Sequence, residues 1–231
     1  GVRLIKALPN SMGFSPEDEA CYAFFKTLTR HKMVLISHVG DERTVSGGGV
    51  ENAWGNPLLY IKWLKRFPQL KIIMAHVGSE GTIQKGKNKG KENFDMVLYL
   101  MERYPKQVWA DLSALTSVPM RAPYLTQIIK RKDLHSRFLY GSDYPILSIA
   151  PLVQMSLLIM RKEGLLEEHK NFFEFYKSIL EIYTHNPLLA GFVIMRNVSY
   201  KGVKLPPHIF YKNFYDLFAG QVPAPLKKNP F

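Results

Sequence analysis

Three short strings in the 231-residue sequence put a metal-ligating or proton-transferring side chain directly after an apolar run: ISHVG at His38, MAHVG at His76 and GSDYP at Asp143. Imidazole nitrogen and carboxylate oxygen are both zinc ligands, and zinc with an open coordination position polarises carbonyls and acidifies water toward neutral pH. The same side chains can also carry protons. Each residue alone has a plain structural role as well: a histidine at a strand end is commonly a hydrogen-bonded core residue, and an aspartate there commonly caps the next segment. What joins the three is recurrence in register with a repeated unit.

That unit is a strand followed by a helix. Apolar runs at 2–8, 33–37, 71–75, 108–112 and 137–140 read as buried strands. Their ends, taken at Lys6, His38, His76, Asp111 and Asp143, lie 32, 38, 35 and 32 positions apart, the size of a strand plus a crossover helix. Between them the apolar period becomes helical, with stripes at Cys21, Phe24, Phe25 and Leu28, at Tyr60, Trp63, Leu64 and Phe67, at Phe94, Val97, Leu98 and Met101, and at Tyr124, Ile128 and Ile129. Ser15, with Pro16 in the first turn, is the expected cap of the first of these. After Pro145 the strand signal stops. Helices are expected over 152–160, 172–183 and 187–193, then an irregular aromatic tail over 205–231 that docks on the rest. The expected organisation is one β/α domain over 1–195 and a packed C-terminal tail over 196–231. In a parallel α/β fold the strand ends converge on one rim, so His38, His76 and Asp143 are expected in one pocket.

The mass of 26.6 kDa, with 46% hydrophobic and 22% charged residues, excludes a disordered, collagen-like or coiled-coil chain. No apolar run approaches the roughly 18 residues of a spanning helix, and the first residues lack a signal peptide's apolar centre. A single cysteine, Cys21, cannot form an internal disulfide, so a reducing cytoplasm is the expected location. The absence of an initiator methionine implies that Gly1 is not the natural start. The charge of +12 is partly concentrated at Lys85, Lys87, Lys89 and Lys91. Without a zinc-finger or RNP-type motif this reads as a solvated basic loop, on the same rim as His76, rather than a nucleic-acid site.

The strings KIIMAHVG (71–78), preceded by RFPQ, then VWADLS (108–113) and FLYGSDYP (138–145), together with the less specific GVRLIKALP (1–9), resemble the amidohydrolase-related family. This is the branch of the amidohydrolase superfamily that includes aminocarboxymuconate semialdehyde decarboxylase. The resemblance covers residues 1 to about 190. It implies a metal-dependent (β/α)8 TIM-type barrel with ligands on its first, fifth, sixth and eighth strands. His38 would be the fifth-strand metal ligand, His76 the sixth-strand catalytic histidine, and Asp143 the eighth-strand acid, serving as both ligand and proton acceptor. The five strands would then be strands four to eight of an incomplete barrel. The first-strand histidine pair has no counterpart, so an upstream segment, another polypeptide or a homo-oligomer would have to complete the barrel. An open doubly wound sheet is the alternative.

The implied cofactor is a divalent metal, zinc first. The implied activity is hydrolysis or nonoxidative decarboxylation of a small carbonyl or carboxylate substrate, which an anion-binding wall would suit. Lys6 and Tyr144 are the candidate substrate contacts. Gly47, Gly48 and Gly49 read as a loop over the barrel mouth, since they lack the lysine and hydroxyl residue that end a phosphate loop. A different class stays open: a catalytically silent barrel relative that binds a protein or an anion through its basic surface and aromatic tail.

Overall fold

The computed structural model describes residues 2–42, 51–144 and 149–218. Strands β1 (Leu4–Ala7), β2 (Val34–His38), β3 (Lys71–Ala75), β4 (Val108–Asp111) and β5 (Phe138–Leu139) form one parallel sheet in chain order. The register sets Ala7 beside Ser37, His38 beside Ala75, Met74 beside Ala110 and Asp111 beside Leu139. The residues that follow each strand therefore emerge on a common rim.

The strand order corrects one expectation. A doubly wound sheet reverses direction at a switch point and carries helices on both faces. Here every crossover steps to the next position without reversal. Side chains alternate across the pleat: Leu35, Ile72, Met74, Val108 and Ala110 enter the large helical core, whereas Val34, Ile73, Trp109 and Leu139 face the opposite side. The sheet is singly wound, and it is open among the described residues.

The helices follow the apolar stripes. They are α1 (Pro9–Met12), α2 (Tyr22–Arg30), α3 (Ile61–Arg66), α4 (Asn93–Arg103) and α5 (Tyr124–Lys130), followed by α6 (Ala150–Lys162), α7 (Phe172–His185) and α8 (Pro187–Asn197). Trp63 and Phe25 stack with centroids 4.9 Å apart, joining α2 to α3. The Trp63 indole donates to the Pro16 carbonyl at 2.5 Å. Ser15 therefore does not cap a helix: residues 15–18 form a turn, and Asp18 caps instead, its Oδ1 accepting from the Ala20 amide at 2.9 Å ahead of a 3-10 turn (Glu19–Cys21). The helix α1 was not expected, although its sequence shows proline at the start and Gly13, at φ +74°, just past the end.

Beyond α8 lies a hairpin, β6 (Ser199–Tyr200) and β7 (Val203–Lys204), turned by Lys201 and Gly202 at φ +49° and +75°. Two positive φ values mark a type I′ turn, and two-residue strands are too short to show a period. The tail then crosses beneath the sheet. The Ile209 carbonyl accepts from the Tyr140 amide at 3.0 Å, shielding the outer edge of β5. Helix α9 (Lys212–Leu217) buries Leu217 and the adjoining Phe218 on Val34, Ile73, Trp109 and Leu139. At about 2–3 kcal/mol for each fully buried side chain, this docking is substantial, and the tail is not irregular here as far as residue 218.

Candidate active site

Both His-Val-Gly strings end a strand with a left-handed glycine. Gly40 has φ +94°, and a Cβ there would lie 2.6 Å from the Glu80 carbonyl oxygen. At the second string, His76 and Val77 are left-handed too, each at φ +55°. Such backbone costs a non-glycine residue roughly 1–2 kcal/mol and persists where surroundings impose it. Here Asp111 Oδ1 accepts the His76 amide at 3.1 Å, and Val77 is fully buried.

The same Asp111 oxygen accepts the Ser113 amide at 3.0 Å and, in a short contact, the Ser113 hydroxyl. With its proton committed to Asp111, Ser113 Oγ can only accept from His76 Nδ1, 2.8 Å away. The hydrogen-bond network thus assigns the proton to Nδ1 and leaves the lone pair on Nε2. That atom faces Asp143 Oδ2 at 3.8 Å. Burial holds His76 well below the ordinary imidazole pKa, helped by the charges of Arg121 and Lys6 and opposed by the Ser113 backbone, so the ring is a neutral base at neutral pH. Burial pushes the Asp143 carboxyl up, with Lys6 pulling it down and Asp111 pushing it up.

His38 stands beside His76, the rings 5.3 Å apart and tilted by 61°. Its Nε2 donates to the Asp41 carbonyl at 3.3 Å, and Nδ1 lies 3.6 Å from Glu42 Oε2. Burial lowers its pKa to about 4 against the opposing pull of Glu42. Lys6, Asp111, Ser113 and Asp143 line one cavity of about 230 Å³ on the sheet face opposite the large helical core, and neither His38 nor His76 is among the residues that line it. Lys6 therefore sits with the site. Tyr144 does not: it is 58% exposed and lines a neighbouring cleft with Thr116, Tyr183 and Leu188.

The Lys85–Lys91 region follows β3 on the same rim, but its lysines are exposed. Lys85 and Lys87 border a cleft with Ser15 and Trp54 instead. The segment is held at its base. Buried Ile83 exchanges backbone hydrogen bonds with Gly90 and Lys91 at its base. Gly47, Gly48, Gly49 and Pro145 lie outside the described residues.

In kind, these side chains fit a divalent cation, because both imidazoles are neutral and a carboxylate faces them. In number they do not enclose one. Among the described residues no three His, Cys, Asp or Glu side chains form a group able to hold a metal. The contacts come in pairs, His38 with Glu42 and His76 with Asp143.

The family model described as Amidohydrolase matches residues 1–167. The chain belongs to the amidohydrolase family. Among solved structures, this amidohydrolase is similar to an uncharacterized TIM-barrel protein from Bordetella bronchiseptica, at 19% identity and a TM-score of 0.46, over 70% of this chain and 50% of that one. It is also similar to a structure described as amidohydrolase II, at 17% identity and a TM-score of 0.40, over 92% of this chain and 60% of that one. The chain thus spans 50% and 60% of the length of those structures. A search of curated proteins returned no match. No helix among the described residues is long and apolar enough to cross a membrane.

Four residues at this candidate site had no site role in the sequence reading: Asp111 and Ser113, which orient His76, and the ion pair of Glu80 with Arg121. Arg121 Nε and Nη2 donate to Glu80 Oε2 at 3.1 and 2.7 Å. A signal for Glu80 was present, since His-Val-Gly-x-Glu occurs twice, at 38–42 and 76–80. Glu42 sits against His38, whereas Glu80 turns to Arg121. The arginine had no signal, because it reaches the rim from a 3-10 turn (Pro119–Arg121) after β4.

Proposed function

We propose that the chain is the portion of a metal-dependent amidohydrolase barrel carrying strands four to eight, in the branch that resembles aminocarboxymuconate semialdehyde decarboxylase. Its reaction is the hydrolysis or nonoxidative decarboxylation of a small carbonyl or carboxylate substrate. The observation that carries this reading is the His76 ring, fixed through Ser113 and Asp111 so that neutral Nε2 faces Asp143, which lines the cavity that also holds Lys6. The sequential parallel sheet agrees with a barrel wall.

His76 takes up a proton at Nε2 and returns it while Nδ1 stays bonded to Ser113. Asp143, raised by burial, exchanges a proton more readily near neutrality than an exposed aspartate. Lys6 draws an anionic substrate group to the cavity. His38 and Asp143 are this chain's contribution to a divalent metal, zinc by ligand type, with the remaining donors supplied from outside the described residues by an adjoining segment or a partner chain. When bound, the metal supplies Lewis-acid polarisation.

The test is metal content and turnover in protein assembled with the segment that supplies those donors. His38→Ala and Asp143→Asn should each lower bound zinc. His76→Asn should keep zinc and lose roughly a hundredfold or more in turnover. Unchanged zinc in both ligand variants, or full turnover in His76→Asn, overturns the assignment.

A further inference from the structure

A second cleft opens at the other end of β5 from Asp143. Its lining comes from the 3-10 turn that leads into the strand (Lys132–Arg137), from β7 and from the tail around Pro206 and His208. It shares no residue with the cavity beside Asp143. Its polar lining is two ammoniums, Lys132 and Lys204, two imidazoles, His135 and His208, and the Ser136 hydroxyl. Among the described residues none of the side chains that line it is acidic. Asp133 turns to Arg131 at 2.6 Å, which leaves Lys132 without an ion pair among the described residues. Lys204 pairs with Glu168 at 2.7 Å, but the two side chains are 48% and 39% exposed. A pair so exposed is worth about 1 kcal/mol or less, and its ammonium can be shared with a multiply charged anion.

His135 gives this basic cleft its selectivity. The residue is 6% exposed, and its Nε2 donates to the Ile128 carbonyl at 3.0 Å. A carbonyl only accepts, so Nε2 holds the proton and Nδ1 keeps a lone pair that finds no hydrogen-bond donor among the described residues. Burial lowers the His135 pKa against the pull of that hydrogen bond, so the ring is neutral at neutral pH. The cations therefore surround one buried acceptor. A fully deprotonated oxyanion sets its own lone pairs against Nδ1, whereas hydrogenphosphate offers a P–OH, and leaving a buried acceptor unmatched costs about 1–3 kcal/mol. The volume of about 400 Å³ is room for roughly thirteen waters at about 30 Å³ each, so a tetrahedral oxyanion enters with part of its hydration.

We propose that this cleft is a phosphate site that selects a protonated oxyanion: hydrogenphosphate rests its oxygens on Lys132 and Lys204 and donates its P–OH to His135 Nδ1. Because Lys132 comes from the turn before β5 and Lys204 from β7, the bound ion ties the C-terminal hairpin to the entry of the sheet. The site stands apart from the reaction at the strand ends and does not depend on it.

The experiment is an NMR titration of the full chain at about pH 8, where an ordinary imidazole is neutral, and at constant ionic strength. The Ser136 amide and the Val203 methyls are the reporters, and the probes are inorganic phosphate, sulfate and methyl phosphate. All three are dianions under these conditions, and only inorganic phosphate retains a P–OH. Phosphate should move both reporters in a saturable way and bind about tenfold tighter than either other ion, the equivalent of ~1.4 kcal/mol. His135→Gln keeps an amide donor for the Ile128 carbonyl and removes Nδ1, and it should bring phosphate to the affinity of sulfate. Lys132→Gln should weaken all three ions severalfold and keep their order.

Reporters that stay unmoved, equal affinity for phosphate and sulfate, or methyl phosphate binding as tightly as phosphate would each overturn the proposal. So would a phosphate preference that survives in His135→Gln, or unchanged affinities in Lys132→Gln. The comparison of ions on the wild-type chain needs no variant to fold, and a ratio of affinities within one variant does not depend on that variant's stability.

Discussion

Replacing Glu80 with glutamine tests how the rim is held. The carboxylate receives two hydrogen bonds from Arg121, at 2.7 and 3.1 Å, and both side chains are about nine-tenths buried, at 10% and 8% exposure. The Glu80 carbonyl also accepts from the Asp41 and Asn93 side of the rim, at 3.1 Å each, so the residue ties together segments that follow β2 and β3. Glu80→Gln keeps the shape and removes the charge, leaving a buried guanidinium uncompensated. Breaking one partner of a buried pair costs about 3–5 kcal/mol. The rim position argues for about 3, which at ~2–4 °C per kcal/mol lowers Tm by roughly 6–12 °C in a chain of this size. Urea unfolding of Glu80→Gln, Arg121→Met and the double variant gives the coupling directly. The double variant should recover much of the loss, since an apolar pair carries no desolvated charge. A Glu80→Gln cost below about 1 kcal/mol would show the pair to be worth no more than an exposed one and would refute this account of the rim.

Acidification should destabilise the metal-free protein. His38 has a folded pKa of about 4 against about 6.5 when unfolded, so its contribution is complete above 6.5 and is lost as pH falls toward 4. The loss is about 3 kcal/mol, and His76 acts in the same direction. The raised Asp143 carboxyl acts oppositely, gaining stability as pH falls toward its range. Urea midpoints of His38→Gln should show a flatter dependence between pH 6.5 and 4. Leu217→Ala should cost about 2–4 kcal/mol through the cavity left on Val34 and Trp109, and an unchanged urea midpoint would mean that α9 does not dock. Lys201→Asn in the β6–β7 turn should be neutral or stabilising by a few tenths of a kcal/mol, since asparagine tolerates positive φ. A loss of more than 1 kcal/mol would count against the turn.

The strands were legible because a buried parallel strand is written as a continuous apolar run, and the interval between His38, His76 and Asp143 carried the β/α repeat. The site was legible to the extent that strand ends dictate it. Lys6 and Asp143 come together because β1 and β5 deliver them to one face. Asp111 was read only as a strand end because a carboxylate accepting local amide protons has the same sequence appearance as a cap. Arg121 and Phe214, which lines the cavity of Lys6 and Asp143, could not be read. Each reaches the site from a short turn or a six-residue helix whose position depends on long-range contacts such as those of Asn213 with the carbonyls of His135 and Phe138. Tyr144 lines a different cleft from Asp143, whose backbone is left-handed at φ +60°.

The most direct test of the central claim is the tautomer of His76, read from long-range proton–nitrogen correlations of histidine-labelled protein at neutral pH. The network of Asp111 and Ser113 predicts a neutral ring with hydrogen on Nδ1 and a bare Nε2 toward Asp143, and Ser113→Ala should release that preference. A His76 ring carrying its proton on Nε2, or on both nitrogens, would contradict a site in which this histidine presents a free base to Asp143.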